Sequence, residues 1–184
     1  MRIKSLKVSG FKSFCHLVEM GFTEHGTTVV VGPNGCGKSN VVDAIRWVLG
    51  EQRPKHLRGG SMEDVIFAGS AFQKPRGMTE VTLTFANPTG DTLSRFNEYS
   101  EIAVTRRLYR SGESVYMINK TPVRLMDIRE LFMDTGIGGT GYSIVEQGRV
   151  GEIVSAKPTD RRTLIDDAAG IVKFRTKRQA AERR

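Results

Sequence analysis

Apolar and polar residues alternate over several short stretches of this 184-residue chain and follow a helical period over fewer. Ile3, Leu6 and Val8 stand among Arg2, Lys4 and Lys7, a loose alternation that predicts a strand exposed on one side. A turn, Gly10-Phe-Lys-Ser-Phe14, leads to a second strand near Cys15 to Phe22, so the chain opens as a hairpin. The β-branched run Thr27–Val31 reads as a buried strand. Val41, Ala44, Ile45 and Val48 then recur on one helical face, and Gly50 supplies a stop. Val65–Ala68, Glu80–Phe85, Ile102–Arg110 and Ser114–Ile118 read as further strands, with turns at Ser111-Gly112 and Asn119-Lys120. A helix is expected over Leu125–Met133 with Ile128, Leu131 and Phe132 facing inward, and a strand over Tyr142–Gln147. From Lys157-Pro158 to Arg184 the pattern is one basic helix whose apolar positions thin out after Phe174. That helix ends without a cap, so the natural chain is expected to continue.

Between the Thr27–Val31 run and the helix lies Gly32-Pro33-Asn34-Gly35-Cys36-Gly37-Lys38-Ser39, which fits G-x-x-x-x-G-K-[ST] at every position. Glycines let successive N–H groups turn toward an anion, and the following helix adds its unpaired N-terminal N–H groups. Lys38 is expected to reach the β- and γ-phosphates of ATP and Ser39 to ligate Mg²⁺. The basic loop Glu51–Gly60 either connects two elements in solvent or brings an arginine to the γ-phosphate, and spacing does not choose between these. A second glycine-rich loop, Asp134–Gly141, lacks the lysine and helix context of a phosphate site.

Composition narrows the class. The hydrophobic fraction of 39% and charged fraction of 26% are those of a globular protein, with no run near the ~20 apolar residues of a membrane span. The first residues lack a signal-peptide core, and Cys15 and Cys36 are expected as free thiols in a cytoplasmic protein. A net charge of +8 favours an anionic partner beyond the nucleotide. An aliphatic strand ending in the acidic pair of a self-sufficient ATPase is missing, and so is an ABC-type signature helix. The chain alone is therefore expected to bind ATP without hydrolysing it.

Gly10–Phe14, Gly32–Asn40, Asp43–Gln52, Leu57–Ser70, Val104–Arg107, Ser143–Arg149 and Lys157–Arg162 with Ala168–Gly170 together resemble the N-terminal half of the head of bacterial structural-maintenance-of-chromosomes (SMC) proteins. The resemblance implies an α/β P-loop fold of the ABC-ATPase head type. The N-terminal lobe, residues 1–156, would have an incomplete sheet, and residues 157–184 would start a long coiled-coil helix. It further implies a C-terminal head half carrying the signature motif and Walker B, and a second head dimerising around ATP. A kleisin-type subunit and a cytoplasmic, nucleoid-associated role in chromosome condensation and segregation go with it. By the same resemblance Gln147 matches the Q-loop glutamine that contacts Mg²⁺ and the attacking water. Arg58 matches an arginine reaching the phosphates, and Lys12 and Ser13 match positions beside the nucleotide. Asn40 closes the matched P-loop stretch, and Cys36 stands where serine is more usual.

Double-stranded DNA would be held through phosphates, independent of sequence. Candidates are Arg106, Arg107, Arg110, Lys120 and Arg124, with Lys173, Arg175, Lys177 and Arg178 on the outgoing helix. Two alternatives compete: a recombination or break-repair ATPase of the same superfamily, and a small-molecule P-loop kinase. The kinase would need a lid and an acceptor pocket, which the polar terminal helix argues against.

Overall fold

The computed structural model describes residues 1–87, 96, 98–133 and the isolated positions 144, 162 and 182. One compact unit spans Met1–Ile128 and a second spans Arg129–Arg184. Gln147, the expected strand around it, the second glycine-rich loop and the basic terminal helix with Lys173, Arg175, Lys177 and Arg178 lie outside the described residues, as does the expected boundary at 156.

Six strands form one antiparallel sheet in the order β2-β1-β3-β4-β5-β6. They are β1 (Arg2–Ser9), β2 (Val18–Gly21), β3 (Met78–Ala86), β4 (Glu101–Tyr109), β5 (Ser114–Ile118) and β6 (Thr121–Val123). Period-two alternation explains the long central strands: every second residue of β3 and β4 is buried. The register lines these residues up in rows across the sheet. Leu6 faces Leu83, which faces Val104, which faces Ile118. The next row is Val8, Val81, Arg106 and Tyr116. Asn119 and Lys120, both at positive φ (48° and 67°), make the tight β5–β6 turn, which the right-handed strand twist favours.

Helix α1 (Lys38–Val48) lies over β3 and β4 and buries Val41, Ala44, Trp47 and Val48. Trp47 replaces Ile45 as the main anchor of the expected face. Its ring packs against Phe11, with centroids 5.5 Å apart. The helix stops before Gly50, whose N–H donates to the Trp47 carbonyl at 3.2 Å. A second helix, α2, covers Leu125–Met133, with Ile128, Leu131 and Phe132 buried as its periodicity predicts.

Two expected strands are not strands. Thr27–Val31 pairs with no described strand, and Val29 and Val31 are 71% and 83% exposed. The run has strand chemistry, but a ladder needs a neighbour, and the six-stranded sheet does not supply one. Val65–Ala68 is overridden by local capping. The Ser61 and Asp64 side chains close a capping box that winds Met62–Val65 into a 3₁₀ turn, leaving Ile66 a single bridge to Phe11. Its apolar residues still enter the core, with Val65, Ile66 and Phe67 all buried.

Candidate functional site

The glycine loop enters α1 directly. Gly35 (φ 84°) and Gly37 (φ 96°) take the left-handed conformation, and Gly37 occupies the N-cap. A Cβ on Gly37 would stand 2.7 Å from Ser13 Oγ, so the loop and the 10–14 turn are in close contact here. Among the described residues no side chain caps α1, and its first turn holds no acid. The N-terminal N–H groups of an 11-residue helix are thus left to an anion. Lys38 Nζ donates to the carbonyls of Gly32 and Pro33, both at 2.6 Å, and so lies along the loop. Ser39, Pro33, Asn34 and Cys36 are exposed. This donor set fits a nucleotide polyphosphate, with the Ser39 hydroxyl available to a divalent cation.

Three chain segments meet beside this loop. The 10–14 turn is pinned by Lys12 N–H donating to Val65 O at 2.7 Å and Phe67 N–H to Gly10 O at 2.8 Å. The Glu51–Gly60 segment is ordered from within. Glu51 accepts from the Gln52 and Arg53 amides and pairs with His56 at 2.8 Å. Burial pushes the Glu51 carboxyl up, but the Arg53 amide and His56 outweigh it and hold the group below its ordinary range. Pro54–Leu57 winds as a 3₁₀ turn and delivers Arg58 in the left-handed conformation (φ 56°). From α1, Asp43 projects between Lys12 and Arg58 and bonds both. Asn40 links Arg58 (2.9 Å) to Ser13 Oγ (2.9 Å). The structure therefore gathers Lys12, Ser13, Lys38, Asn40 and Arg58 from three regions of the sequence. Asp43, which holds Lys12 and Arg58, was not anticipated, although a carboxylate between Val41 and Ala44 on the buried face is the kind of position that needs a partner.

One expected polyanion contact is corrected. Arg106 is 1% exposed and belongs to the core. Its guanidinium lies 4.6 Å from the centroid of the Trp47 ring and 4.9 Å from that of Tyr116. Its Nη1 donates to the carbonyls of Trp47 (2.9 Å) and Glu51 (2.7 Å), closing the C-terminal end of α1 onto the sheet. Burial lowers its pKa to about 10, opposed by Tyr116 and Glu51. Arg106 falls on the buried side of the period-two pattern of β4, with Ile102, Val104 and Leu108. Arg107, on the other face, is paired with Glu80, which raises its pKa. Arg110 donates to the carbonyls of Arg76 (2.7 Å) and Phe67 (3.1 Å) but remains exposed, as do Lys120 and Arg124.

A glycine loop feeding an uncapped helix, with cations converging beside it, defines a P-loop nucleotide-binding protein. Residues 2–143 match the family model described as the RecF/RecN/SMC N terminal domain. The chain belongs to that family, and its similarity is to the SMC members. It is 58% identical over 185 residues to the chromosome partition protein Smc of Myxococcus xanthus, covering 100% of this chain and 15% of the relative. A Pyrococcus furiosus Smc head domain with an extended coiled coil, bound to the C-terminal domain of ScpA, superposes with a TM-score of 0.84 at 35% identity. That match covers 99% of this chain and 45% of the other. A structure from a study of ATP-driven dimerization and DNA-stimulated activation of SMC ATPases gives a TM-score of 0.80 at 35% identity, covering 91% of this chain and 99% of the other. The fold is the N-terminal region of an SMC-type ATPase head. The chain spans about 15% of the length of the curated relatives it matches.

Proposed function

We propose that this chain is the ATP-binding half of the head of a chromosome-organising ATPase, completed by a C-terminal half that brings the signature motif and Walker B. The observation that carries the reading is the P-loop entering an uncapped α1 with Arg58 held beside it. Lys38 binds the β- and γ-phosphates, Ser39 and Gln147 hold Mg²⁺, and Gly32–Asn40 wraps the polyphosphate. Arg58 supplies a further positive charge to the phosphates. Lys12, 13% exposed and bound to Asp43 and the Leu57 carbonyl, braces the site instead of facing the nucleotide. The exposed Val29–Val31 run supports a composite head, because a β-branched segment of this kind gains stability when a neighbouring strand pairs with it. A second head, a kleisin-type subunit and double-stranded DNA complete the proposed assembly in the cytoplasm. Of the DNA-contact candidates among the described residues, Arg110, Lys120 and Arg124 are exposed, while Arg107 is paired with Glu80.

Steady-state Mg-ATP hydrolysis tests the composite site. The 184-residue chain alone should show no turnover, and turnover should appear on adding a separately made C-terminal head half of a relative. Turnover by the chain alone would overturn the split-site reading. Thiol alkylation gives an independent check on where the nucleotide sits. Cys36 is exposed in the loop and Cys15 is buried. Mg-ATP is expected to slow alkylation of Cys36 and leave the slow reaction of Cys15 unchanged. Equal Cys36 rates with and without nucleotide would place ATP elsewhere.

A further inference from the structure

Asp43 presents a physical contradiction. Its side chain is 7% exposed and stands one helical turn from Ser39, where a carboxylate works against binding a polyphosphate. Something must offset that, and the contacts indicate what. Asp43 Oδ2 accepts from Lys12 Nζ at 2.5 Å and from two nitrogens of Arg58, Nε at 3.1 Å and Nη2 at 2.5 Å. Lys12 also donates to the carbonyl of Leu57, the residue before Arg58. One cation thus fixes the backbone next to Arg58 while the carboxylate fixes its side chain. Arg58 Nη2 is further held by Asn40 Oδ1 at 2.9 Å. The Arg58 side chain nevertheless remains 53% exposed, and Nη1 makes no hydrogen bond among the described residues. Two cations against one carboxylate leave the cluster with a net positive charge.

We propose that Asp43 is a positioning residue for the nucleotide site: it grips Arg58 by Nε and Nη2 and so presents the free edge of the guanidinium to the terminal phosphate of a nucleoside triphosphate. The chemical reason is entropic as well as geometric. A free arginine loses rotamer entropy when it is fixed on a ligand, and a planar fork already held on one edge loses less. Lys12 pairs with the Asp43 carboxylate, so its burial is compensated by an opposite charge. The inference rests on the proposed nucleotide site and assigns that site a means of distinguishing a triphosphate from a diphosphate.

Titration calorimetry of Mg-ATP and Mg-ADP onto the 184-residue chain tests it, using Asp43→Asn, Arg58→Ala and the pair combined. Simple electrostatics predicts that removing a negative charge tightens ATP, whereas positioning predicts the opposite sign. Asp43→Asn should weaken Mg-ATP about tenfold and Mg-ADP less than about twofold, the equivalent of one charge-assisted hydrogen bond. The combined variant should bind Mg-ATP no more weakly than Arg58→Ala alone. Tighter or unchanged ATP binding in Asp43→Asn, or losses that add in the combined variant, would overturn the assignment. Should Asp43→Asn lose its fold by circular dichroism, Lys12→Met with Asp43→Asn removes both buried charges together and is held to the same expected result. An unsubstituted chain that binds neither nucleotide overturns the nucleotide reading itself, an outcome separate from the pattern of losses among variants.

Discussion

Replacing Arg106 with alanine should destabilise the Met1–Ile128 unit by about 3 kcal/mol in urea unfolding, far more than the same change at its neighbour Arg107. Three losses contribute. Truncation opens a cavity in the row Val8–Val81–Arg106–Tyr116, at a cost typical of large-to-alanine core changes. The carbonyls of Trp47 and Glu51 lose a charged donor and keep only the longer bonds from Gly50 N–H (3.2 Å) and Gln52 Nε2 (3.3 Å). The aromatic faces of Trp47 and Tyr116 lose the cation between them. One gain opposes these: the buried guanidinium has no ion-pair partner among the described residues, so its removal ends a desolvation penalty. Arg106→Met, which keeps most of the volume and removes the charge, should therefore cost only about 1–2 kcal/mol. Arg107→Ala removes a half-exposed pair with Glu80 and should cost less than about 1 kcal/mol. Equal costs for Arg106→Ala and Arg107→Ala would mean that the guanidinium does not tie α1 to the sheet.

The contrast between these neighbours shows what the sequence could and could not reveal. β3, β4 and β5 were legible because alternation reports which face is buried, and the burial patterns follow it residue by residue. The P-loop was legible because its glycines, lysine and serine are fixed by local backbone geometry. Thr27–Val31 misled because pairing is not a local property: its β-branched residues describe a strand's surface but not whether a partner lies alongside. Asp43 was missed for a related reason. Its partners lie 31 and 15 residues away in sequence, and only the folded 10–14 turn and the ordered Glu51–Gly60 segment bring them to it. Two local signals were present, an acid inside an apolar helix face and an arginine on the inner alternation of a strand. Charge patterning predicts a class of partner better than it predicts which cation meets it.

Lys38→Ala should lower Mg-ATP affinity at least about 30-fold, the largest binding effect expected of any described side chain, because the ammonium is the only lysine aligned within the loop. Nζ already exchanges solvent for the Gly32 and Pro33 carbonyls at 2.6 Å, so its position is set before a ligand arrives. A phosphate competes with two neutral carbonyls for that charge, and a charge-assisted bond to an anion is the stronger of the two. Lys38→Arg should not restore binding. A planar fork of five donors cannot retrace the compact path of an ammonium folded back along its own loop, and Cys36 Sγ stands 3.9 Å from Nζ. Stability should move little, since α1 keeps its buried face of Val41, Ala44, Trp47 and Val48 whatever occupies position 38. Urea unfolding of Lys38→Ala close to that of the unsubstituted chain, together with lost ATP affinity, would assign the lysine to ligand binding. Unchanged affinity would mean that the loop's N–H groups hold the polyphosphate without it.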